Sequence, residues 1–291
     1  GPICYVWHRL TGRPFDLWVY GGETDPLFTS SRWMTRQLQH ILRSARHVYS
    51  ISPFTTQEMF DFGLSATMVV EVPMAVDHDT FYPQPTSLAV TERYDLEGQL
   101  VLLTVGRLVE RKGVDAALRT LAALGDRLTS WRYLIVSDGP FRAQLERLTK
   151  ELGLADRVVF TGYVDEADLP LLYNASDIFL MPNRQLPEAD GGSLSVEGFG
   201  IVFVESASCG VAQVAGRSGG AHEAVAHDET GLIVDDPEDH HAAAQAIADL
   251  LADPDRRHAM GAAARRRAEV EFSYDVLTNR LQGAINAMVN Q

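Results

Sequence analysis

Cysteine is scarce in this chain. Cys4 and Cys209 are the only two in 291 residues. Neither belongs to a close-spaced Cys/His set, which argues against structural zinc and for a reducing compartment, here expected to be the cytoplasm. Long apolar runs are lacking as well. No stretch approaches the ~18 residues of a membrane span, and the opening Gly1-Pro2-Ile3-Cys4 carries neither the basic nor the apolar region of a secretory signal. Positive charge is in deficit, with 25 Lys and Arg against 39 Asp and Glu and a formal net charge of −14. Phosphate backbones are held by clustered Lys and Arg, so nucleic acid is not the expected partner, and any phosphate ligand needs a local basic spot. Tandem repeats and low-complexity tracts are also missing. No methionine opens the chain, which brings processing, an expression scar or truncation into consideration. What is present is 46% hydrophobic, enough to core two domains or one large one.

From about Leu100 onward, short β-branched runs alternate with helical patterns. Leu100 to Val105 ends in Gly106, Tyr133 to Val136 in Ser137-Asp138-Gly139, Val158 to Thr161 in Gly162, and Ile178 to Met181 in Pro182. Continuous rather than alternating apolar strands indicate burial on both faces, and with helices between them they make a parallel, doubly wound α/β sheet. Asp236-Pro237-Glu238-Asp239 reads as an N-cap, a first-position proline and two acids ahead of a helix, with Gly231 to Val234 as the strand before it. The first ninety residues offer three thinner strand candidates, Phe15 to Tyr20, His47 to Ser52 and Thr67 to Val72, with a helix over Ser30 to Ala45 between the first two. That is little for a whole doubly wound domain. Phe81 to Thr86, with two prolines, is the predicted linker.

Two segments carry the chemistry. Glu197 to Glu205 brackets a Gly198-Phe199-Gly200 turn that opens onto a predicted helix, Gly200 to Cys209, whose free N–H groups can face an anion. Two acids beside an anion site fit a ligand with hydroxyls as well as phosphates, which a nucleotide sugar has. The second segment, Gly106 to Gly113, follows directly on a strand and precedes a helix, where an open parallel sheet binds its ligands. Arg107 offers a planar fork and Lys112 a compact charge, together enough to neutralise a diphosphate without a metal; alone, the loop reads equally as ordinary connection cations. Other candidates have full structural readings. Ser137 to Pro140 is turn chemistry, Gly162-Tyr163 ends a strand and could face a planar base, and Arg217 to Ala221 is a glycine-rich turn. Asp253-Pro254-Asp255 is a cap rather than a metal pair, His240 and His241 point to different helix faces, and Arg265-Arg266-Arg267 reads as a solvated helix face. Tyr20-Gly21-Gly22-Glu23-Thr24 ends the first strand and divides evenly between a plain loop and a cleft-facing role.

In these two segments, and in Ala215 to Gly220 and His227 to Leu232, the chain resembles the retaining family 4 glycosyltransferases of the GT-B fold, which carry a Glu-x7-Glu motif and an upstream Gly-Arg-x4-Lys-Gly loop. The resemblance covers nearly all of the carboxyl half. It implies two Rossmann-like domains, the amino-terminal one incomplete: a partial acceptor-binding domain over 1–84, a nucleotide-sugar donor domain over 85–270, and a helix over 271–291 crossing back to the first. It implies that Arg107 and Lys112 bind the diphosphate and that Glu197 holds the transferred sugar, these three being the catalytic set. Glu205 would accept from the ribose hydroxyls, while Gly106, Gly162, Tyr163, Gly198, Phe199, Gly200, Ile201 and Val202 complete the donor site. The family's acceptor-side His-Gly pair is Tyr20-Gly21 here, a departure that leaves Tyr20 as the acceptor-side candidate. The family's first glycine-rich strand–turn–helix has no counterpart.

The expected activity is therefore metal-independent transfer of a hexosyl group from a nucleoside diphosphate sugar to a hydroxyl acceptor (saccharide, lipid or small molecule) with retained configuration. No cofactor is expected, and membrane contact only through the acceptor. Two alternatives stay open: a GT-B nucleotide-sugar epimerase, for which the amino half offers only Glu23 and Asp25 as acid/base groups, and a non-catalytic nucleotide-sugar binder.

Overall fold

The computed structural model describes residues 1–21, 31–128, 130–187 and 194–289. Its amino-terminal part runs α1 (Pro2–Thr11), β1 (Leu17–Val19), α2 (Arg32–Ser44), β2 (Val48–Ser50), α3 (Pro53–Asp61) and β3 (Val69–Glu71), with the strands parallel in the order β1-β2-β3. Local chemistry sets the helix starts. The Ser31 side chain accepts from the Met34 N–H, and Ser52 and Thr55 form a reciprocal capping box with Pro53 in the first turn. Val19, Leu42, Val48, Met59 and Leu64 close the small core. The strands are shorter than the predicted runs because only three registers, Leu17↔Val48 to Val19↔Ser50, have a partner across the sheet.

The rest continues through α4 (Leu88–Tyr94), β4 (Leu100–Val105), a 3₁₀ turn Glu110–Lys112, α5 (Val114–Leu124), β5 (Trp131–Val136), α6 (Arg142–Glu151), β6 (Val158–Gly162), α7 (Leu169–Asn174) and β7 (Ile178–Met181). A short antiparallel pair follows, β8 (Leu186–Pro187) with β9 (Leu194–Ser195), then α8 (Ile201–Ser208), β10 (Ala212–Gly216), α9 (Ala221–Ala224), β11 (Gly231–Val234), α10 (His240–Ala252), α11 (Pro254–Glu271) and α12 (Tyr274–Val289). Six parallel strands stand in the order β11-β10-β7-β4-β5-β6. Counted from β4, this is the 3-2-1-4-5-6 arrangement of a doubly wound sheet, whose order reverses between β4 and β7. Each face is sealed by its own apolar cluster: Leu103, Leu134, Phe179 and Phe203 on one side, Leu102, Leu118, Ile135 and Leu180 on the other. Burial on both faces is why these strands read as unbroken apolar runs.

Three details depart from the sequence reading. Helix α10 starts at His240 with Asp239 as its cap, accepting from the Ala242 N–H at 3.0 Å, because Asp236 spends its carboxylate on the Glu238 N–H in a preceding turn. Arg265 and Arg267 are not a solvated face: Arg265 donates to the Phe81 and Ser208 carbonyls, and Arg267 to those of Ala224 and Glu223. The proline-containing linker is strapped down, with the Gln84 N–H on the Asn174 side chain, whose amide returns to the Tyr82 carbonyl. Asp253 caps α11 through the Arg256 N–H at 2.9 Å.

Candidate functional site

The loops after β4 and β7 meet at the reversal of strand order. The loop after β4 turns through Gly106 and the 3₁₀ turn, which swings Lys112 inward, and closes at Gly113 with φ +70°. A Cβ on Gly113 would lie 2.0 Å from the Pro182 carbonyl oxygen, so only glycine lets the two loops approach this closely. The chain after β7 delivers Glu197. One carboxylate oxygen, Oε2, accepts from Lys112 Nζ at 2.6 Å and from Arg111 Nη1 at 2.7 Å. Burial pushes this carboxyl up, yet Lys112 and Arg111 outweigh it and hold it below its ordinary 4.5. Glu197 and Lys112 are both buried.

Beyond Glu197 the backbone passes Gly198, Phe199 and Gly200 (φ +87°) and enters α8, whose first N–H groups, those of Ile201 and Val202, precede any intrahelical bond. Phe199 itself faces the core, edge-on to Phe272 with ring centroids 5.4 Å apart. The Ser218-Gly219-Gly220 turn packs under this segment, with the Gly220 N–H donating to the Glu197 carbonyl at 2.7 Å. Its glycines serve that backbone contact, since a Cβ on Gly219 would lie 2.0 Å from the same carbonyl oxygen.

Glu205, one turn into α8, lines a cleft of about 570 Å³ together with Asp77, Thr80, Glu166, Ile201 and Tyr274. Burial raises its carboxyl above the ordinary 4.5, the Tyr173 hydroxyl pulls it back, and the Glu166 charge adds to the rise.

The structure thus brings Lys112, Glu197, Gly198, Phe199, Gly200, Ile201 and Val202 to one edge of the sheet, with Gly106 beside Lys112. Arg107 is exposed and makes no side-chain hydrogen bond or ion pair among the described residues, so the second cation on Glu197 is Arg111. Arg111 stands in the same loop, and spacing alone does not show which of the two arginines the 3₁₀ turn directs inward. Gly162 and Tyr163 sit at the end of β6, Tyr163 being 80% exposed.

The amino-terminal sheet approaches this edge directly. The Ser52 hydroxyl donates to the Gly198 carbonyl at 2.9 Å, and the Phe54 N–H, in the first turn of α3, donates to Glu223 Oε1 at 2.9 Å. Tyr20 comes in by its backbone: a Cβ on Gly198 would lie 2.4 Å from its carbonyl oxygen, while its ring stacks on Trp18. Glu23 and Asp25 lie outside the described residues. Among the described residues no group of three His, Cys, Asp or Glu is placed to hold a metal ion, and no helix is long and apolar enough to cross a membrane.

The family model described as "Glycosyl transferases group 1" matches residues 92–267. The chain belongs to the group 1 glycosyl transferases. Among its relatives, the GDP-mannose-dependent alpha-(1-6)-phosphatidylinositol monomannoside mannosyltransferase of Mycolicibacterium smegmatis is 41% identical over 233 residues, which are 79% of this chain and 59% of that protein. The monoacylated-substrate counterpart from Corynebacterium glutamicum is 31% identical over 284 residues, covering 97% of this chain and 67% of that protein. The chain therefore spans about three fifths of the first relative's length. In three dimensions it is similar to Anabaena HepE in complex with UDP-glucose, with a TM-score of 0.83 at 20% identity, covering 98% of this chain and 76% of that one. At that identity the likeness establishes the GT-B-type fold.

Proposed function

We propose that this glycosyltransferase chain holds a nucleoside diphosphate sugar between the loops after β4 and β7 and transfers the hexosyl group to a hydroxyl acceptor with retained configuration, without a metal. The observation that carries the reading is the Lys112–Glu197–Arg111 cluster at the reversal of strand order, one turn ahead of the α8 N-terminus. As the diphosphate leaves, negative charge develops on its oxygens. Fixed cations and helix N–H groups lower that barrier more than they stabilise the bound donor. Lys112, Arg111 and a swung-in Arg107 take the leaving phosphates; Glu197 faces the sugar; Glu205 accepts from the ribose. The attacking hydroxyl enters on the face the diphosphate vacates, and the departing phosphate oxygen accepts its proton.

The relatives' names support GDP-mannose as the donor to test first and a phosphatidylinositol mannoside as the acceptor. The test is calorimetry of GDP-mannose, UDP-glucose and ADP-glucose against the chain, followed by mannose transfer to phosphatidylinositol monomannoside vesicles. GDP-mannose is expected to bind, and Lys112→Ala to weaken it at least ~tenfold, one charge-assisted hydrogen bond being involved. Binding of none of the three donors, or binding unchanged in Lys112→Ala, would refute the assignment.

A further inference from the structure

The mechanism gives the buried hydroxyl of Tyr173 no role. Tyr173, on α7, is completely buried, with its ring held between Phe81 from the linker (5.9 Å between centroids) and Phe179 from β7 (5.8 Å). Its hydroxyl donates to Glu205 Oε2 at 2.7 Å. The other carboxylate oxygen, Oε1, has no protein hydrogen-bond partner among the described residues, and Glu205 forms part of the cleft wall. One oxygen is thus pinned from behind by a rigid donor while the other is left for a ligand. We propose that Tyr173 is a positioning residue for donor recognition: it fixes the orientation of the Glu205 carboxylate, with Oε1 presented to a pair of vicinal ring hydroxyls such as those of a ribose. This rests on the reading of Glu205 as the ribose contact given above.

Two physical arguments support the assignment. A glutamate has three side-chain torsions, and ordering it on binding costs affinity unless the protein orders it beforehand. The Tyr173 hydroxyl does so from a ring that cannot move without disturbing Phe81 and Phe179. The second argument is charge. Both burial and the Glu166 carboxylate favour the neutral acid at Glu205, and a protonated carboxyl would present a donor where the ribose also presents donors. The Tyr173 hydroxyl opposes both, although burial still leaves the carboxyl above its ordinary 4.5. Burial and the Glu205 charge hold the Tyr173 phenol well above its ordinary 10, so it stays a donor throughout the working pH range.

The experiment compares GDP with 2′-deoxy-GDP and 3′-deoxy-GDP by calorimetry between pH 5 and 8, in the wild type and in Tyr173→Phe, Glu205→Gln and Glu205→Asp, with unfolding midpoints measured alongside. Tyr173→Phe removes one oxygen and keeps the ring packing. GDP affinity is expected to fall about tenfold, the cost of one lost charge-assisted bond plus reordering. Affinity for the deoxy nucleotides should hardly change, so the preference for the intact diol shrinks. The acid limb of GDP binding moves to higher pH, because the ionised carboxylate has lost a donor. Glu205→Asp keeps the charge but withdraws it from Tyr173 by one methylene, and is expected to lose the diol preference to a similar degree. Loss of the preference in Glu205→Gln, but full preference and an unmoved acid limb in Tyr173→Phe, would overturn the role of Tyr173 alone. Full preference in Glu205→Gln would instead overturn the reading of Glu205. Should Tyr173→Phe fail to fold, an undiminished diol preference in Glu205→Asp refutes the proposal in its place.

Discussion

The ion cluster at Glu197 permits a quantitative test in four proteins: wild type, Lys112→Ala, Glu197→Gln and the double variant. Glu197 contacts Lys112 at 2.6 Å and Arg111 at 2.7 Å through the same oxygen, and the side-chain exposures are 9% for Glu197, 11% for Lys112 and 28% for Arg111. Stripping a buried carboxylate of its only partner costs about 3–5 kcal/mol. Here the more exposed Arg111 remains, so Lys112→Ala should cost about 2 kcal/mol, a midpoint shift of roughly 4–8 °C for a unit of this size. Glu197→Gln removes the charge that needs compensation, so the double variant should be little less stable than Glu197→Gln alone, and the coupling energy should be about 2 kcal/mol. The pH dependence has a definite sign. The folded carboxyl lies below its ordinary 4.5, so its contribution is present above that value and is lost as pH falls through the lower folded value. The wild-type advantage over Glu197→Gln in urea denaturation should therefore hold at pH 7 and shrink on acidification below pH 4.5. A coupling below about 0.5 kcal/mol, the scatter expected of independent sites, would refute a formed buried pair. The same variant probes function, since Glu197→Gln releases both cations: GDP should bind more tightly while mannose transfer falls.

The remaining predictions concern the surrounding frame. Gly113→Ala forces a side chain into positive φ and against the Pro182 carbonyl, and should cost about 2–4 kcal/mol and displace Lys112, read as a lower midpoint together with weaker GDP binding. Glu223 lies between the two sheets, where burial raises its carboxyl to about 7, the Phe54 N–H pulls it down and the Glu71 charge pushes it up again. A raised carboxyl contributes stability below its ordinary 4.5 that is lost as pH rises through about 7. Glu223→Gln should therefore gain on the wild type in melting temperature between pH 5 and 8; parallel profiles would refute this. Asp253→Ala removes the α11 cap at a cost of about 1 kcal/mol, with the melting-temperature difference unchanged by added Mg²⁺.

The strands of the larger sheet were legible because burial on both faces leaves an unambiguous mark. Ile178–Met181 and Leu100–Val105 fall where the apolar runs stand, and Gly106, which ends the second of them, sits beside Lys112 in a loop that builds the site. The amino-terminal strands were legible only as places, because a three-residue strand in a three-stranded sheet carries too few side chains to set its own limits. Choices among chemically equal neighbours were not legible at all. Asp236 and Asp239 are both good caps, and three-dimensional hydrogen bonding decides between them. Arg265 and Arg267 belong to a sequence that looks solvated, yet each finds backbone carbonyls from elements 43 or more positions away.

The same logic separates the two ends of the candidate site. Lys112, Arg111 and Glu197 come from loops whose form the sequence declares, through glycines at φ +70° and φ +87°, a region that other residues enter only with strain. Tyr173 comes from a helix that reads as plain core, and only its hydroxyl, facing Glu205, distinguishes it from a phenylalanine. A residue that acts by holding another carries no motif of its own, since any donor on a rigid ring at that distance serves. From the amino-terminal sheet Tyr20 makes its contact by backbone, its carbonyl oxygen meeting Gly198, while Ser52 reaches the Gly198 carbonyl with its hydroxyl. The Tyr20 contact leaves its side-chain identity unconstrained, so the position at which the family places a histidine can hold a tyrosine and keep the approach of the two sheets. What the tyrosine brings to that position is a ring stacked on Trp18, and the Ser52–Gly198 bond ties the amino-terminal sheet to the segment that follows Glu197.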